Sequence, residues 1–231
     1  MLPNRTRMGT ESDRPALAVA DLPPVTAGNV ALAFLALPLF AAVANRTGTD
    51  VPTVATIGVY WTAALVVTAV AVWGEGLSLA DLGFRRPALV DLAYLAGTAV
   101  AILAVYAGTT PLVEALGLPV NEGTSAVGAG VGIGVALVHA ATIGVVEEVL
   151  YRGYPIERLL AHTESSLVAG GVTWLAFTLV HALNWPLGSL LQTAIVAAVL
   201  TVVYLRRRTL VPVVGAHALV WILVVLGQYY G

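Results

Sequence analysis

The sequence contains no cysteine and no lysine, and it carries few charges of either sign. The lack of cysteine excludes a disulfide framework, thiolate chemistry and any zinc site built on cysteine. Only 10% of the 231 residues are charged and 58% are hydrophobic, whereas about a quarter are charged in an average soluble domain. The composition therefore excludes an ordinary soluble domain and indicates a membrane protein.

Apolar segments long enough to cross a bilayer as helices recur along the chain. We predict an all-α, polytopic integral membrane bundle with about seven transmembrane helices. Pro38 lies inside the first span and is expected to kink it. The fourth helix is expected to continue to about Leu160, and Gly130 and Gly134 near its start are expected to allow close helix packing. The predicted spans cover residues 29–44, 54–73, 88–107, 126–146, 167–183, 190–205 and 210–226.

The arginines predict how the chain is oriented in the membrane. Placing Arg206–Arg208 in the cytosol puts every arginine except Arg46 on that side, including Arg152 and Arg158 in the loop after the fourth span, as the positive-inside rule requires. We therefore predict a multi-pass cell-membrane protein with a cytosolic N-terminus. The chain divides into a disordered cytosolic tail at residues 1–27, N-terminal transmembrane helices at 28–124, and a transmembrane bundle at 125–231 that holds the candidate site.

Four ionisable residues in or beside the apolar segments stand out, and they lie on three different helices: Glu147, Glu148, His181 and His217. A charged side chain at the bilayer centre costs roughly 2.5–3.5 kcal/mol on insertion scales, so we expect the four residues to converge and pair inside the bundle. Arg152 lies four residues after Glu148 and shares its helix face, which favours an ion pair. Glu147 lies about 100° round the helix and is left available as a base.

Each of these residues also has a simpler interpretation. Glu147 and Glu148 could cap the cytosolic end of the fourth helix, with the Arg152 side chain extending to the membrane surface. His181 or His217 alone could be an interhelical hydrogen-bond donor. His139, two turns before Glu147, is interpreted as a structural packing residue.

Three motifs occur in order along the chain. E-E-x-x-x-R runs from Glu147 to Arg152, F-x-x-x-H runs from Phe177 to His181, and a third motif begins at His217. Their order and spacing resemble the CPBP family of intramembrane proteases, which includes the type II CAAX prenyl proteases and bacteriocin-processing proteins. The segment 82–84, Leu-Gly-Phe, also resembles a Leu-Gly-hydrophobic element common in that family. The resemblance covers about residues 125–225, and the first three spans match only in kind.

The resemblance implies an intramembrane endopeptidase acting on a membrane-associated protein or peptide. Glu147 would be the general base that activates water, His181 would assist in positioning that water, and His217 would help to stabilise the oxyanion. The expected partners are therefore this substrate and the lipid bilayer, with no nucleic acid. Supporting roles fall to Glu148, Arg152, Phe177, which can pack against the imidazole of His181, and Asn184.

Metal use by this family has been interpreted in two ways, and the sequence leaves both open. Glu147, Glu148, His181 and His217 supply enough nitrogen and oxygen ligands for a catalytic Zn²⁺ with an open position. The chain lacks the H-E-x-x-H spacing that would make metal the default. A metal-free glutamate protease is the alternative.

Trp221 departs from the family pattern, which often has Asn four residues after the His of the third motif. Asn could donate to the oxyanion, whereas Trp offers only an indole N–H in a different geometry; Asn184 is another possible donor. Two rival functions therefore stay open. One is a catalytically weak membrane immunity or scaffold protein, and the other is a proton-coupled transporter that uses the Glu and His cluster as a relay.

The depth of His181 in the membrane raises a further question. If the fifth span begins at Leu167, His181 lies about 21 Å along it, too far from a Glu147 that ends the fourth helix. Either the fourth helix extends well past Glu147, or the fifth helix starts later and the break at residues 184–188 lies within the membrane. We expect some of both.

Overall fold

The described residues of the chain are almost entirely helical. The computed structural model describes residues 22–120, 127 and 130–231, and those residues form seven helices and no strand. A 3₁₀ turn at Leu79–Leu82 separates the second helix from the third. The predicted all-α polytopic bundle is confirmed. The helices are α1 Pro24–Thr47, α2 Thr53–Gly74, α3 Leu89–Ala115, α4 Ile133–Thr163, α5 Ser166–Ala182, α6 Leu187–Arg207 and α7 Leu210–Tyr230.

Six of these helices are long and apolar enough to cross a membrane, and α5 is a shorter apolar helix of 17 residues. Large apolar side chains cover the outside of the bundle, with Leu89, Leu167 and Trp73 each more than four-fifths exposed. Such a surface would be unfavourable in water, whereas the hydrocarbon of a bilayer accepts it.

Two helix starts differ from the sequence prediction. Helix α1 begins at Pro24, where proline is favoured in the first helical turn, so it includes residues 24–27 that were assigned to the tail; residues 1–21 lie outside the described residues. Helix α4 begins at Ile133, and Gly130 before it has a positive φ of 74°. The predicted start near residue 126 is outside the described part of the chain.

Close helix packing occurs at Gly144, and the prediction that it occurs at Gly130 and Gly134 is wrong. Gly130 precedes the helix, and a Cβ at Gly134 would meet no described atom within 4 Å. A Cβ at Gly144 would lie 2.5 Å from the backbone of Ala218 on α7. Helices α4 and α7 therefore meet almost backbone to backbone, one turn before Glu148.

Helices α4 and α5 form an antiparallel hairpin, and this hairpin brings Glu147 and His181 to the same depth in the bundle. Helix α4 continues sixteen residues past Glu147 to Thr163, as expected, so Arg152 and Arg158 lie within the helix and not in a loop. Helix α5 returns from Ser166 and places His181 fifteen residues along it. Glu147 and His181 are thus at matching distances from the turn. The expectation that the fifth helix starts later than Leu167 is wrong, because α5 begins at Ser166.

Ion pairs gather at the end of the bundle where α4 turns into α5. Arg85 and Arg208 both contact the buried Glu157, and Arg207 contacts Asp91 at 2.8 Å. The contacts to Glu157 tie the α2–α3 linker and the α6–α7 turn to α4, and the Arg207 contact joins α6 to α3. Charged groups thus fix this end of an otherwise apolar bundle.

Candidate active site

Glu148 and Arg152 form the ion pair that their spacing predicts. Arg152 Nη1 donates to Glu148 Oε1 at 2.8 Å, and both side chains are fully buried. The guanidinium lies 4.2 Å from the ring centroid of Phe177, which adds a cation–π contact. Glu148 is therefore held in place by its neighbours.

A π-helical turn at Val149–Gly153 follows the two glutamates and carries Arg152. Such turns inside α-helices are frequent at functional sites. The Leu-Gly-Phe element supports this turn from outside, because a Cβ at Gly153 would come within 2.7 Å of the carbonyl oxygen of the buried Leu82. Gly83 has a φ of 87°, and its carbonyl accepts a hydrogen bond from the backbone N–H of Leu210 at 3.0 Å.

His217 joins Glu148 from α7. Its Nδ1 lies 2.8 Å from Glu148 Oε1, and its Nε2 lies 3.0 Å from the indole nitrogen of Trp221. Because an indole N–H can only donate, Nε2 is the acceptor and the proton of the neutral imidazole sits on Nδ1, which donates to the carboxylate. Both ring nitrogens of His217 are therefore engaged within the protein.

Glu147 has a different environment from Glu148, although the two residues are adjacent. None of the described residues donates a hydrogen bond to its carboxylate, and its side chain lines a cavity of about 590 Å³. The rotation of about 100° between neighbouring helix positions separates the two roles. The prediction that Glu147 is left free while Glu148 is paired agrees with this geometry.

The space around Glu147 has two parts. The 590 Å³ cavity adjoins a smaller one of about 120 Å³, which is ample for water. Apolar side chains from α3, α4, α6 and α7 line most of the larger cavity, among them Ile102, Leu103, Ile143, Val196, Leu200, Val220 and Val224. The residues that line both parts are Tyr60, Glu147, His181, Asn184 and Trp185.

His181 presents an acceptor to this shared space. Its Nδ1 lies 2.7 Å from the carbonyl oxygen of Phe177, so Nδ1 carries the proton and Nε2 keeps its lone pair. The Phe177 ring lies 4.4 Å from the imidazole and the Trp185 ring contacts it edge-on at 5.0 Å, which limits its orientation. Glu147 and His181 thus offer two acceptors that one water molecule could donate to.

Residues 129–223 contain all three motifs, and they match a family model described as type II CAAX prenyl endopeptidase Rce1-like. These residues are similar to that family, and we call them the Rce1-like segment. The match confirms the resemblance predicted from the three motifs, and the matched family is a family of proteases. No curated protein and no solved structure matches the chain. The Rce1-like segment ends inside α7 and excludes α1, α2 and α3.

Helix α1 reaches the Rce1-like segment through Pro38. Proline has no N–H, so the carbonyl of Phe34 one turn earlier loses its helical donor. The hydroxyl of Tyr151, in the π turn, donates to that carbonyl at 3.1 Å, and the two aromatic rings stack 5.8 Å apart. Pro38 also lines the smaller cavity, so α1 closes one side of the site.

Two residues at the site, Tyr60 and Asn45, were not singled out from the sequence, and His139 was given a structural role only. Tyr60 on α2 lines both cavities, and Asn45 on α1 donates to Asn184 Oδ1 at 3.1 Å. His139, interpreted from the sequence as a packing residue, lines the larger cavity with its Nδ1 buried and unpaired among the described residues. The sequence did offer a signal for Tyr60, because it lies in the middle of an apolar span, where a hydroxyl usually needs a hydrogen-bond partner.

The four residues predicted as zinc ligands do not fit a zinc centre in this arrangement. Among the described residues, no group of three or more His, Asp or Glu side chains is placed to hold a metal ion. Glu148 is bound to Arg152 and His217, and the Nε2 lone pair of His217 accepts from Trp221. Glu147 and His181 alone are fewer than the three protein ligands that a catalytic zinc takes.

Proposed function

We propose that this chain is an intramembrane endopeptidase that hydrolyses a peptide bond in a membrane-associated protein or peptide. The observation that carries the proposal is that Glu147 and His181 both line the two adjoining cavities inside an apolar helical bundle. Each offers an acceptor that no other described residue uses. The Rce1-like match of residues 129–223 supports the same reaction class.

The proposed reaction begins with a water molecule that donates one hydrogen bond to Glu147 and one to Nε2 of His181. Glu147 takes a proton from this water as its oxygen attacks the carbonyl carbon of the peptide bond. The electron pair of the C=O bond moves to oxygen and forms the oxyanion. The C–N bond then breaks, and the proton held by Glu147 passes to the leaving nitrogen.

Glu148 and Arg152 make this role of Glu147 feasible. Two adjacent carboxylates would repel each other in a medium of low dielectric constant, and an unpaired buried charge is costly. Arg152 neutralises Glu148 at 2.8 Å, so Glu147 has no unpaired anion beside it. The π turn and the hydrogen bond from His217 hold this arrangement.

The apolar lining of the larger cavity suits a hydrophobic stretch of substrate that enters from the membrane.

We propose a multi-pass protein with its N-terminus in the cytosol. Four arginines form ion pairs at the end of the bundle where α4 meets α5, and the positive-inside rule places an arginine-rich end in the cytosol: Arg85, Arg158, Arg207 and Arg208.

One observation favours a second candidate, a catalytically weak relative that serves as an immunity or scaffold protein. The oxyanion role expected of His217 needs a free N–H, and in this structure its Nδ1–H donates to Glu148 while Trp221 donates to Nε2. If nothing replaces that donor, hydrolysis would be slow.

A comparison of protein termini tests the proposed function without knowledge of the substrate. Membranes are prepared from a host that lacks this gene and is complemented with wild type, Glu147→Gln or an empty vector, at matched expression. We expect new termini with wild type alone, which would also identify the substrate. Identical sets of termini in all three membranes, with the wild-type protein folded, would contradict proteolysis and favour the scaffold candidate.

A further inference from the structure

A tetrahedral intermediate needs hydrogen-bond donors about 2.7–3.1 Å from its oxyanion, and removal of one such donor typically costs about 10²–10³ in kcat. His217 does not supply one here, because Nδ1–H donates to Glu148 and Nε2 accepts from Trp221. Trp221 uses its only N–H on His217. The donor for this chain must therefore come from another residue beside Glu147.

Three donors line the space that the two cavities share: the hydroxyl of Tyr60, the amide of Asn184 and the indole N–H of Trp185. Asn184 and Trp185 lie in the turn after α5, and Asn184 is exposed and tied to an exposed Asn45. A donor stabilises an oxyanion best where water is excluded and the donor is fixed beforehand. Both conditions favour a residue inside a helix over a residue in this turn.

Tyr60 meets both conditions. It lies within α2, its ring packs edge-on against His139 at 6.3 Å, and its hydroxyl has no hydrogen-bond partner among the described residues. The next residue, Trp61, donates to the hydroxyl oxygen of Thr142 at 3.1 Å. This bond fixes α2 against α4 little more than one turn before Glu147.

We propose that Tyr60 is a catalytic residue whose hydroxyl donates the hydrogen bond that stabilises the oxyanion. The inference rests on the proposed function and adds a residue from α2, which lies outside the Rce1-like segment. As water attacks, the C=O electron pair moves to oxygen, and the Tyr60 O–H bond stays intact while its hydrogen bond strengthens with the growing charge. Glu147 alone carries the transferred proton.

Tyr106 provides a matched control. It also lines the larger cavity, from α3, but it does not line the smaller cavity beside Glu147. The variants Tyr60→Phe and Tyr106→Phe each remove one hydroxyl from the same cavity wall and keep the ring. The measured quantity is the rate at which wild-type-dependent termini appear in membranes, per amount of folded protein. We expect Tyr60→Phe to lower it about 10²–10³-fold. We expect Tyr106→Phe to change it by less than about tenfold, because the substitution removes at most one neutral hydrogen bond, worth about 1 kcal/mol.

Equal rates for Tyr60→Phe and Tyr106→Phe would overturn the proposal, and Glu147→Gln separates that failure from a failure of the proposed function. If wild type cleaves, Glu147→Gln does not, and Tyr60→Phe cleaves like Tyr106→Phe, only the role of Tyr60 is wrong. If wild type and Glu147→Gln give the same termini, the proposed function and this inference fall together.

A second variant covers the case in which Tyr60→Phe yields little folded protein. Replacing Tyr60 with a fluorotyrosine keeps the ring and the hydroxyl and makes the hydroxyl a more acidic donor. If Tyr60 is the donor, the fluorotyrosine at position 60 changes the cleavage rate by a different factor than a fluorotyrosine at position 106 does. A rate that responds equally at both positions would overturn the proposal.

Discussion

The indole N–H of Trp221 donates a hydrogen bond to Nε2 of His217 at 3.0 Å. This contact decides which nitrogen of His217 carries the proton, and it directs that proton to Glu148. Trp221 and His217 therefore act on Glu148, and through it on the position of the helix that carries Glu147. In this arrangement both ring nitrogens of His217 are engaged within the protein, and the third motif holds Glu148 in place.

Replacing Trp221 tests this arrangement. Trp221→Phe removes one neutral hydrogen bond, worth about 1 kcal/mol, and leaves the bond from His217 to Glu148 in place. We expect the cleavage rate to fall by less than about tenfold, since tenfold corresponds to about 1.4 kcal/mol. Trp221→Asn serves as the comparison, because it restores the residue common in the family. A rate that rises tenfold or more in either variant would show instead that Trp221 blocks His217 from the substrate.

Arg152→Met should be one of the most destabilising substitutions in the chain. It leaves the fully buried Glu148 without its cation, and breaking a buried ion pair costs about 3–5 kcal/mol. The measurement is the free energy of unfolding in detergent by denaturant titration. Arg206→Met is the control, because Arg206 is exposed and forms no ion pair among the described residues. Equal stability of the two variants would contradict the role given to the buried pair.

Gly144→Ala should separate α4 from α7. Its Cβ would lie 2.5 Å from the backbone of Ala218, and backbone has no rotamer that could move aside. We expect a loss of at least about 1–3 kcal/mol in stability and a lower cleavage rate, because His217 would move away from Glu148. Gly134→Ala is the matched control on the same helix, where a Cβ meets nothing within 4 Å. Thermal unfolding of both variants checks the prediction, which fails if Gly144→Ala unfolds no earlier than Gly134→Ala.

Gly83→Ala should loosen the linker that supports the π turn. Gly83 and Gly76 both have a positive φ, of 87° and 71°, so alanine strains the backbone at either position by about 1–2 kcal/mol. Only at Gly83 would the new Cβ also overlap the hydroxyl of Tyr204, whereas Gly76 has open space. We expect Gly83→Ala to lower the unfolding temperature clearly more than Gly76→Ala does. Equal shifts would mean that backbone strain explains the whole effect.

The parts of the site that follow from helix geometry were predictable from the sequence. The four-residue spacing of Glu148 and Arg152 predicted their ion pair, and the rotation of about 100° predicted that Glu147 stays free. The seven apolar segments predicted the seven helices. These relationships lie within single elements, where period and length determine the result.

The remaining features depend on contacts between helices, and the repeat of residues within one helix does not determine these contacts. The hydrogen bond of Trp221 follows from how α7 faces α4, and the backbone contact at Gly144 could not be distinguished in advance from the glycines at the start of α4. Tyr60 lies on a helix that matches the family only in kind, so no motif pointed to it. The zinc interpretation used residue types alone, and the tertiary structure commits Glu148 and His217 to other partners.

The most direct test of this account compares the two adjacent glutamates. Glu147→Gln and Glu148→Gln change the same atoms one residue apart, and both variants can be measured for unfolding temperature and for the rate of formation of wild-type-dependent termini. The account predicts that Glu147→Gln unfolds like wild type and forms no such termini, whereas Glu148→Gln unfolds at a lower temperature because Arg152 loses its partner. Termini that form at the wild-type rate in Glu147→Gln would contradict the assignment of Glu147 as the general base.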